Sequence, residues 1–408
     1  MEAKLPWLRF QRAFGYGTTR SQKLLTRFGH PSAIFEKPLG QLARSGVFTP
    51  VEMRNLAEAA TEEAARRILD FCADYGCDIL TPDDPEYPQR LREIYGYPAV
   101  LYVRGSLEGL DETLAIAMVG TRNITDYGLR AANTITRELA EKGVAIVSGL
   151  ARGIDTACHT AALKAGGRTI AVLGCGIDVV YPPENAQLEE LIVRYGGAVV
   201  TEFPPGEQPV RFHFPIRNRV ISGLSNGVVV VEGTRRSGSL ITAGHAFAQN
   251  RDVFAVPGSI FSSASSGPNY LLSQNAKAVE SAESILEEYE CLIQWEPRQE
   301  EEEGREKIIS RKLPSSFEES EKNGYNDGRR SQKADRPARE EFPAQQPLPA
   351  YLSETQQKVY SLLAEGGVQT ADYIVAQSGL PIAQVLAALT QMEIFGLVRT
   401  HSGRRFSL

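Results

Sequence analysis

The chain has 408 residues but only five cysteines, five histidines, four methionines and two tryptophans. Five scattered cysteines cannot build a disulfide scaffold. The closest pair, Cys72 and Cys77, is not a Cys-x-x-Cys motif, and the histidines lack metal-ligand spacing. No metal and no cofactor is therefore expected. No stretch approaches the ~18 apolar residues of a membrane span. The opening residues MEAKLPWLRF lack the apolar core of a signal peptide. Also missing is any excess of positive charge: 44 Lys+Arg stand against 50 Asp+Glu, a net charge of −6. That excludes a broad basic face for nucleic acid but leaves room for a local patch. These absences describe a cytoplasmic protein with reduced thiols and no membrane partner.

What is present fits a globular chain, 42% hydrophobic and 23% charged. At roughly 150 residues per domain the length accommodates two to three domains. Residues 296–345 differ from the rest. About half are charged, including the run Glu300-Glu301-Glu302-Glu303, and apolar residues are sparse and aperiodic. Gly304, Pro314, Gly324, Gly328 and Pro337 argue against one long helix, so this segment reads as a disordered charged linker.

Residues 112–295 alternate short apolar runs with amphipathic stretches. The runs fall at 114–119, 144–147, 168–173, 198–201, 227–231 and 253–256. Short, Gly-bounded runs that are apolar on both faces predict strands buried in a parallel sheet. Helix-length segments between them, such as 127–142 and 239–250, imply an α/β fold with a doubly wound, mostly parallel sheet. Ligands bind such sheets at the carboxyl ends of the strands. Residues 76–111 read as a connecting segment. Residues 1–75 look helical throughout, and 14–29, FGYGTTRSQKLLTRFG, has the Gly-x-Gly turn and basic amphipathic helix of a helix-hairpin-helix. Backbone N–H groups at such a helix start can hold a phosphate; a plain helical hairpin is the alternative. Residues 346–408 predict three helices and a hairpin, a winged helix-turn-helix. A Ser or Thr cap around 353–355 opens the first helix. The second covers 370–377 and ends at Ser378-Gly379. Pro381 opens the third, which runs to Phe395 and stops at Gly396. Strands at 397–400 and 405–408 flank a Ser402-Gly403 turn. The third helix, PIAQVLAALTQMEIF, has no Lys or Arg, unlike a helix that reads a major groove. An interaction or accessory role is favoured for this domain, although Arg399, Arg404 and Arg405 leave phosphate contact by the wing open.

Candidate chemistry gathers at the predicted strand ends. Gly120, Thr121 and Arg122 turn from strand to helix without the Gly-x-Gly-x-x-Gly fingerprint, and Arg122 offers a bidentate fork for phosphate. Ser148, Gly149, Arg152 and Gly153 form a second turn suited to an anion. Asp155 and His159 are four apart on one helix face; an acid/base pair is conceivable, a structural lock the commoner outcome. In VRFHFPIRNRVISGLS, Arg211, Arg217 and Arg219 interleave with Phe212, His213 and Phe214, with Asn218 beside them. Basic residues can track a sugar-phosphate backbone while a ring stacks a base. Ser237, Gly238 and Ser239 open another helix with hydroxyls, near Arg235 and Arg236.

The series VGTRNITDYG, VSGLARGIDTACHTAALKAGGRTIAVLGCGIDVVYPPEN, FPIRNRVISGLS, VVVVEGTRRSGSLITAGHAFAQNRDVFAVPG and SGPNYLLSQNAKAV closely resembles the DNA-processing protein A (DprA, also called Smf) family. The resemblance covers about residues 80–295. The flanking domains also match common family architecture: a helix-hairpin-helix or SAM-like module before a Rossmann-like domain, and a winged helix after it. It implies sequence-independent binding of single-stranded DNA, loading of RecA recombinase onto incoming strands during natural transformation, and a homodimer formed through the Rossmann-like domain. Single-strand-binding protein is a further candidate partner. Carried over by position, the DNA pocket would use Arg122, Arg211, Phe214, Arg217, Asn218 and Arg219, lined by the loops at 149–153 and 237–239. The dimer and RecA contacts would fall near Asn269, Leu272 and Ala278. This chain departs from many members in having Thr121 in the Gly-Thr-Arg turn, Asn275 in place of a Gly, and the small Ala278. The competing class is a nucleotide-processing enzyme, a nucleoside-monophosphate phosphoribohydrolase relative, for which Glu202 or Glu232 would be the working carboxylate. Only Glu232-Gly233-Thr234 echoes that group's loop. A transcriptional regulator is disfavoured by the neutral third helix.

Overall fold

The computed structural model describes residues 2–17, 19–292, 354–394, 397–401 and 405–408. They form two compact units, and the charged segment 296–345 lies outside the described residues.

The first unit is built on a nine-stranded sheet in the order β1-β2-β6-β5-β4-β3-β7-β8-β9. Its strands are β1 (Asp78–Leu80), β2 (Leu101–Gly105), β3 (Ala115–Val119), β4 (Ala145–Ser148), β5 (Thr169–Val172), β6 (Ala198–Thr201), β7 (Gly227–Val230), β8 (Asp252–Ala255) and β9 (Lys277–Ala278). From β6 to β9 every pairing is parallel. The six apolar runs of the sequence are β3 to β8. They alternate side chains between two cores, as a period of two requires. Ala115, Ala117, Val119, Val147, Val228 and Val230 face one core; Ile116, Met118, Ile146, Val229 and Phe254 face the other. Each fully buried Val, Ile or Leu contributes about 1.5–3 kcal/mol of transfer energy, so both faces must be covered. Helices α8 (Asp126–Glu141) and α9 (Ile154–Lys164) close the second core with Ile135, Leu139, Ile154 and Cys158. Helices α11 (His213–Gly223), α12 (Gly238–Ala248) and α13 (Ser266–Ser273) close the first with Val220, Ile221, Ala243, Ala246 and Leu271. Between them in the chain, α10 (Ala186–Arg194) follows β5. The chain winds outward from β3 to β6, then returns beside β3 as β7 and winds the other way. The crevice between β3 and β7 is the switch point of the doubly wound sheet.

The segment 76–111, expected to be a connection, is part of this sheet. β1 pairs antiparallel with β2, and β2 antiparallel with β6, through Tyr102↔Thr201 to Gly105↔Ala198. A short helix, α7 (Gln89–Arg92), lies between β1 and β2 and adds Leu91 to the first core.

The described residues up to 75 are largely helical, as expected: α1 (Leu5–Phe14), α2 (Thr19–Phe28), α3 (Ser32–Phe35), α4 (Leu39–Arg44), α5 (Pro50–Glu58) and α6 (Glu62–Tyr75). A Thr49/Glu52 capping box starts α5, and Gly76, at φ 70°, ends α6. Polar contacts seat these helices on the sheet. Gln11 Nε2 donates to the Glu202 carbonyl at 2.8 Å, Tyr102 Oη donates to Gln11 Oε1 at 2.9 Å, and Trp7 Nε1 donates to Asp83 at 2.6 Å.

The second unit is a winged helix: α15 (Glu354–Gly366), α16 (Ala371–Ser378), α17 (Ile382–Ile394) and a three-stranded sheet of β10 (Gln369–Thr370), β12 (Arg405–Ser407) and β11 (Arg399–His401). (A last short helix of the first unit, Glu283–Leu286, is α14.) Thr370 Oγ1 caps α16, and Gly379, at φ 64°, ends it. Val359, Leu363, Ile374, Leu389, Met392 and Phe406 form its own core. The cap expected at Ser353, the helix stop at Phe395 and Gly396, and the Ser402-Gly403 turn lie outside the described residues.

Candidate nucleic-acid interface

Parallel strands present all their carboxyl ends on one edge, so the loops after β3, β4, β5, β7 and β8 are neighbours. The first two are locked together. The Ile154 N–H donates to the Thr121 carbonyl at 3.1 Å. Gly153 lies against the same turn at φ +79°, where a Cβ would sit 2.3 Å from the Thr121 oxygen and 2.7 Å from that of Arg122. Only glycine fits both that conformation and that gap.

On this edge Arg122 is exposed, with no hydrogen-bond or carboxylate partner among the described residues. Its guanidinium lies over the Phe214 ring, 5.2 Å from the centroid. Phe214 is half-buried, packed on Gly174 and tilted against Tyr181 at 5.5 Å. Arg211 is exposed at the entry to α11. A cation and a ring in contact at the open end of a sheet can hold a phosphate and a base face together.

The other arginines of the Phe-Pro-x-Arg-Asn-Arg segment are placed differently from expectation. Arg217 is 4% exposed, Asn218 7% and Arg219 6%. Arg217 Nη1 donates to the carbonyls of Gly149, at 2.6 Å, and Val172, and Nε donates to Asn218 Oδ1 at 3.2 Å. Burial lowers its pKa to about 10. It ties the loops after β4 and β5 to α11 and carries its ring contact with Phe214, 5.8 Å away, from below. Asn218 Nδ2 donates to the Gly238 carbonyl at 3.2 Å. Arg219 forms a buried ion pair with Glu202, itself 3% exposed. These three residues build the floor of the edge, a correction to their expected place on a DNA backbone. A helix start can be basic for either reason; only the carbonyls and the carboxylate opposite it, 15 to 70 residues away in sequence, distinguish them.

The remaining candidates divide in the same way. Ser148 is buried and its Oγ donates to the Met118 carbonyl at 2.6 Å, so it faces the sheet. Gly149 is buried too. Arg152 is exposed but pairs with Glu184, Nε to Oε1 at 3.0 Å. Thr121 is half-buried beside Gly120. Ser237 caps α12 and shares a 2.9 Å hydrogen bond with buried Ser239; Gly238 is exposed between them. Near the sheet's outer edge, Asn269 bonds both ways with Gly258, Leu272 is half-buried and Ala278, in β9, is exposed.

Asp155 and His159 are not partners. Asp155 accepts from the N–H groups of Gly149, at 3.2 Å, and Ala151, at 3.3 Å, holding the loop beneath Arg122. His159 Nδ1 meets Thr169 Oγ1 at 2.7 Å. Burial raises the Asp155 pKa to about 6 and lowers that of His159 to about 3.

The two carboxylates that an enzyme would need are also engaged. Glu232, 1% exposed, accepts from Thr125 Oγ1 at 2.5 Å and Thr125 N–H at 3.1 Å. Glu202 accepts from Arg219 and from the Gly17 N–H at 2.8 Å. The latter contact decides the Gly-x-Gly turn. Gly17 (φ +68°) packs on Ile216, so close that a Cβ would stand 2.2 Å from its Cγ2, and Tyr16 Oη is 3.3 Å from His213 Nε2. Of the two readings open for this turn, the plain hairpin fits better: the Gly17 N–H that could have met a phosphate meets an internal carboxylate. Among the described residues no cluster of His, Cys, Asp or Glu could hold a metal, and no helix is long and apolar enough to cross a membrane.

A doubly wound sheet with cation-bearing loops at its carboxyl edge defines a Rossmann-like fold with an edge suited to anions, and the second unit is a winged helix. The family model for DNA recombination-mediator protein A matches residues 78–290, and that for the DprA winged helix domain matches 343–404. A relative from Synechocystis, named Protein Smf, is 39% identical over 80% of this chain and 79% of its own. The DNA processing protein DprA of Bacillus subtilis is 47% identical over 54% of this chain and 74% of its own. The X-ray structure of DNA processing protein A from Streptococcus pneumoniae superposes with a TM-score of 0.59 at 36% identity, covering 69% of this chain and 95% of that one. The chain belongs to the DNA-processing protein A (DprA/Smf) family.

Proposed function

We propose that this chain is a non-catalytic recombination mediator that binds single-stranded DNA without sequence preference along the carboxyl edge of its parallel sheet. The family carries the mediator role: its model is described as DNA recombination-mediator protein A, and the relatives are named as DNA processing proteins. The observation that carries the site is the guanidinium of Arg122, unpaired among the described residues, resting on Phe214, with Arg211 exposed beside α11. Phosphates meet the arginines and a base shares the aromatic surface, so affinity falls with salt and varies little with sequence. The engagement of Glu202 and Glu232 inside the fold favours this reading over a nucleotide-processing enzyme.

The bound strand is then handed to RecA recombinase, as the resemblance implies for natural transformation, from a homodimer in which Leu272 and Ala278 face the second copy. Single-strand-binding protein is the competitor that must be displaced, and the working compartment is the cytoplasm. A titration of labelled oligo-dT in a mobility-shift assay tests the site: Arg122→Ala with Arg211→Ala abolishes the shifted band, and an unchanged shift rejects the assignment. RecA filament assembly on strands coated with single-strand-binding protein, with and without this chain, tests the hand-over. Release of free base from a nucleoside monophosphate would revive the enzyme.

A further inference from the structure

Among the described residues the two most exposed large apolar side chains are neighbours: Phe261, 93% exposed, and Ile260, 83%. They occupy the loop that leaves β8 on the same sheet edge as Arg122. The loop is firmly built. Asn269 Nδ2 donates to the Gly258 carbonyl at 3.0 Å while the Gly258 N–H donates to Asn269 Oδ1 at 3.2 Å. Tyr127 Oη donates to the Pro257 carbonyl at 2.5 Å. Within the tip, the Ser262 N–H donates to the Ser259 carbonyl at 3.0 Å, and the Phe261 N–H to Ser259 Oγ at 3.2 Å. A bare aromatic ring is thus held outward by a bonded turn.

Its neighbour is a pair of cations. The Gly233 N–H donates to the Ala264 carbonyl at 2.7 Å and the Gly267 N–H to the Gly233 carbonyl at 2.8 Å, joining this loop to the one after β7. That second loop carries Arg235 and Arg236, both exposed, and neither side chain has a carboxylate partner among the described residues. Arg235 lies 5.0 Å from the Tyr270 ring centroid. Nothing in the site around Phe214 uses these groups.

We propose that Phe261 is a second base-stacking position for the same single strand, with Arg235 and Arg236 holding the phosphates between it and Arg122. This extension rests on the binding mode proposed above. Phe214 packs over the end of β5, and Phe261 follows β8; four strand spacings separate those strands. At 4.7–4.9 Å per spacing that is about 19 Å, several nucleotides along the edge. A polyanion fits this surface better than an apolar protein face, because the loop that carries the ring is bonded to a loop whose two exposed guanidinium groups have no carboxylate partner among the described residues.

The test is fluorescence anisotropy of the full chain with oligo-dT strands of about 4 and about 16 nucleotides, spanning the range of single-strand site sizes. Phe261→Ala is expected to raise the Kd for the longer strand by roughly five- to a hundredfold, the range for loss of one stacked base, and to leave the shorter strand unchanged. Phe261→Trp restores long-strand binding. The double variant Arg235→Ala/Arg236→Ala weakens the longer strand and flattens its salt dependence. If Phe261→Ala binds both strands like the parent while Arg122→Ala loses both, the extension is wrong and the edge site stands. If neither variant changes either strand, the underlying binding mode is wrong. If Phe261→Ala binds DNA normally but changes the sedimentation velocity from that of an assembly to that of a single chain, Phe261 is a protein contact and the extension is rejected.

Discussion

Two turns in this molecule have the composition of a phosphate site, and they have opposite fates. Gly120-Thr121-Arg122 opens on solvent with an unpaired guanidinium over a ring. Gly15-Tyr16-Gly17 is filled from within by Glu202. Both are glycine-bearing turns before a helix, so local sequence does not separate them. The partner does: among the described residues no carboxylate lies within ion-pair distance of Arg122, the buried Asp155 acting on it only from below, whereas the Gly17 N–H has one at 2.8 Å, already paired with Arg219. An anion site is a donor set whose acceptor has been left out, and the protein itself occupies one of these two.

The sharpest way to break that contrast is to empty the closed turn. Glu202→Ala leaves Arg219 buried without its counter-ion and the Gly17 N–H without an acceptor. Loss of one partner of a buried pair costs about 3–5 kcal/mol, seen as a fall in the midpoint of urea unfolding. Gly17→Ala should follow at about 1–3 kcal/mol, from a left-handed backbone and the clash with Ile216, again read by urea. Neither change should alter DNA affinity at a urea-free, folded concentration; if either weakened binding as much as Arg122→Ala does, the closed turn would be part of the interface.

On the open turn the effects reverse. Arg122→Ala leaves the unfolding midpoint within about 0.5 kcal/mol of the parent, because the side chain is exposed. It lowers single-strand affinity about tenfold and reduces the slope of log K against log salt by about 0.7, one phosphate contact. The smallest effect concerns the loop beneath. Asp155, raised to about 6 by burial, contributes stability that is full below its unfolded value near 3.8 and is lost as pH rises through 6. His159, lowered to about 3 by burial, acts oppositely: its contribution is full above 6.5 and is lost as pH falls toward 3. Between pH 4 and 6 the two offset each other. Asp155→Asn removes the first, so unfolding free energies measured across that window should fall more steeply toward acid than in the parent.

Much of the fold is legible in the sequence because the parallel strands are buried on both faces and read as unbroken apolar runs. The six runs coincide with β3 to β8 to within a residue or two at each end. β1 and β2 are not legible. They are three and five residues long, and Asp78 and Arg104 interrupt their apolar pattern. Their membership comes from pairing, which no local periodicity encodes. The site divides likewise. Residue type shows where cations collect, so the edge with Arg122, Arg211 and Phe214 can be found from motifs. It cannot show which cations are already neutralised. Arg217 and Arg219 sit on α11, where every position from Ile216 to Gly223 is buried, and the helix has no polar face to mark them as inside or outside.

The antiparallel addition of β2 to β6 has a practical meaning for anyone cutting this protein into pieces. A fragment beginning at residue 112, where the apolar runs start, would strip two strands from the sheet and leave the β2-facing N–H and C=O groups of Ala198–Thr201 unpaired while the other side still bonds β5, a bare rim that invites chain-to-chain association. A fragment that begins at Cys77 keeps that rim closed, so soluble expression of the core is decided by about thirty-five residues that carry no motif at all.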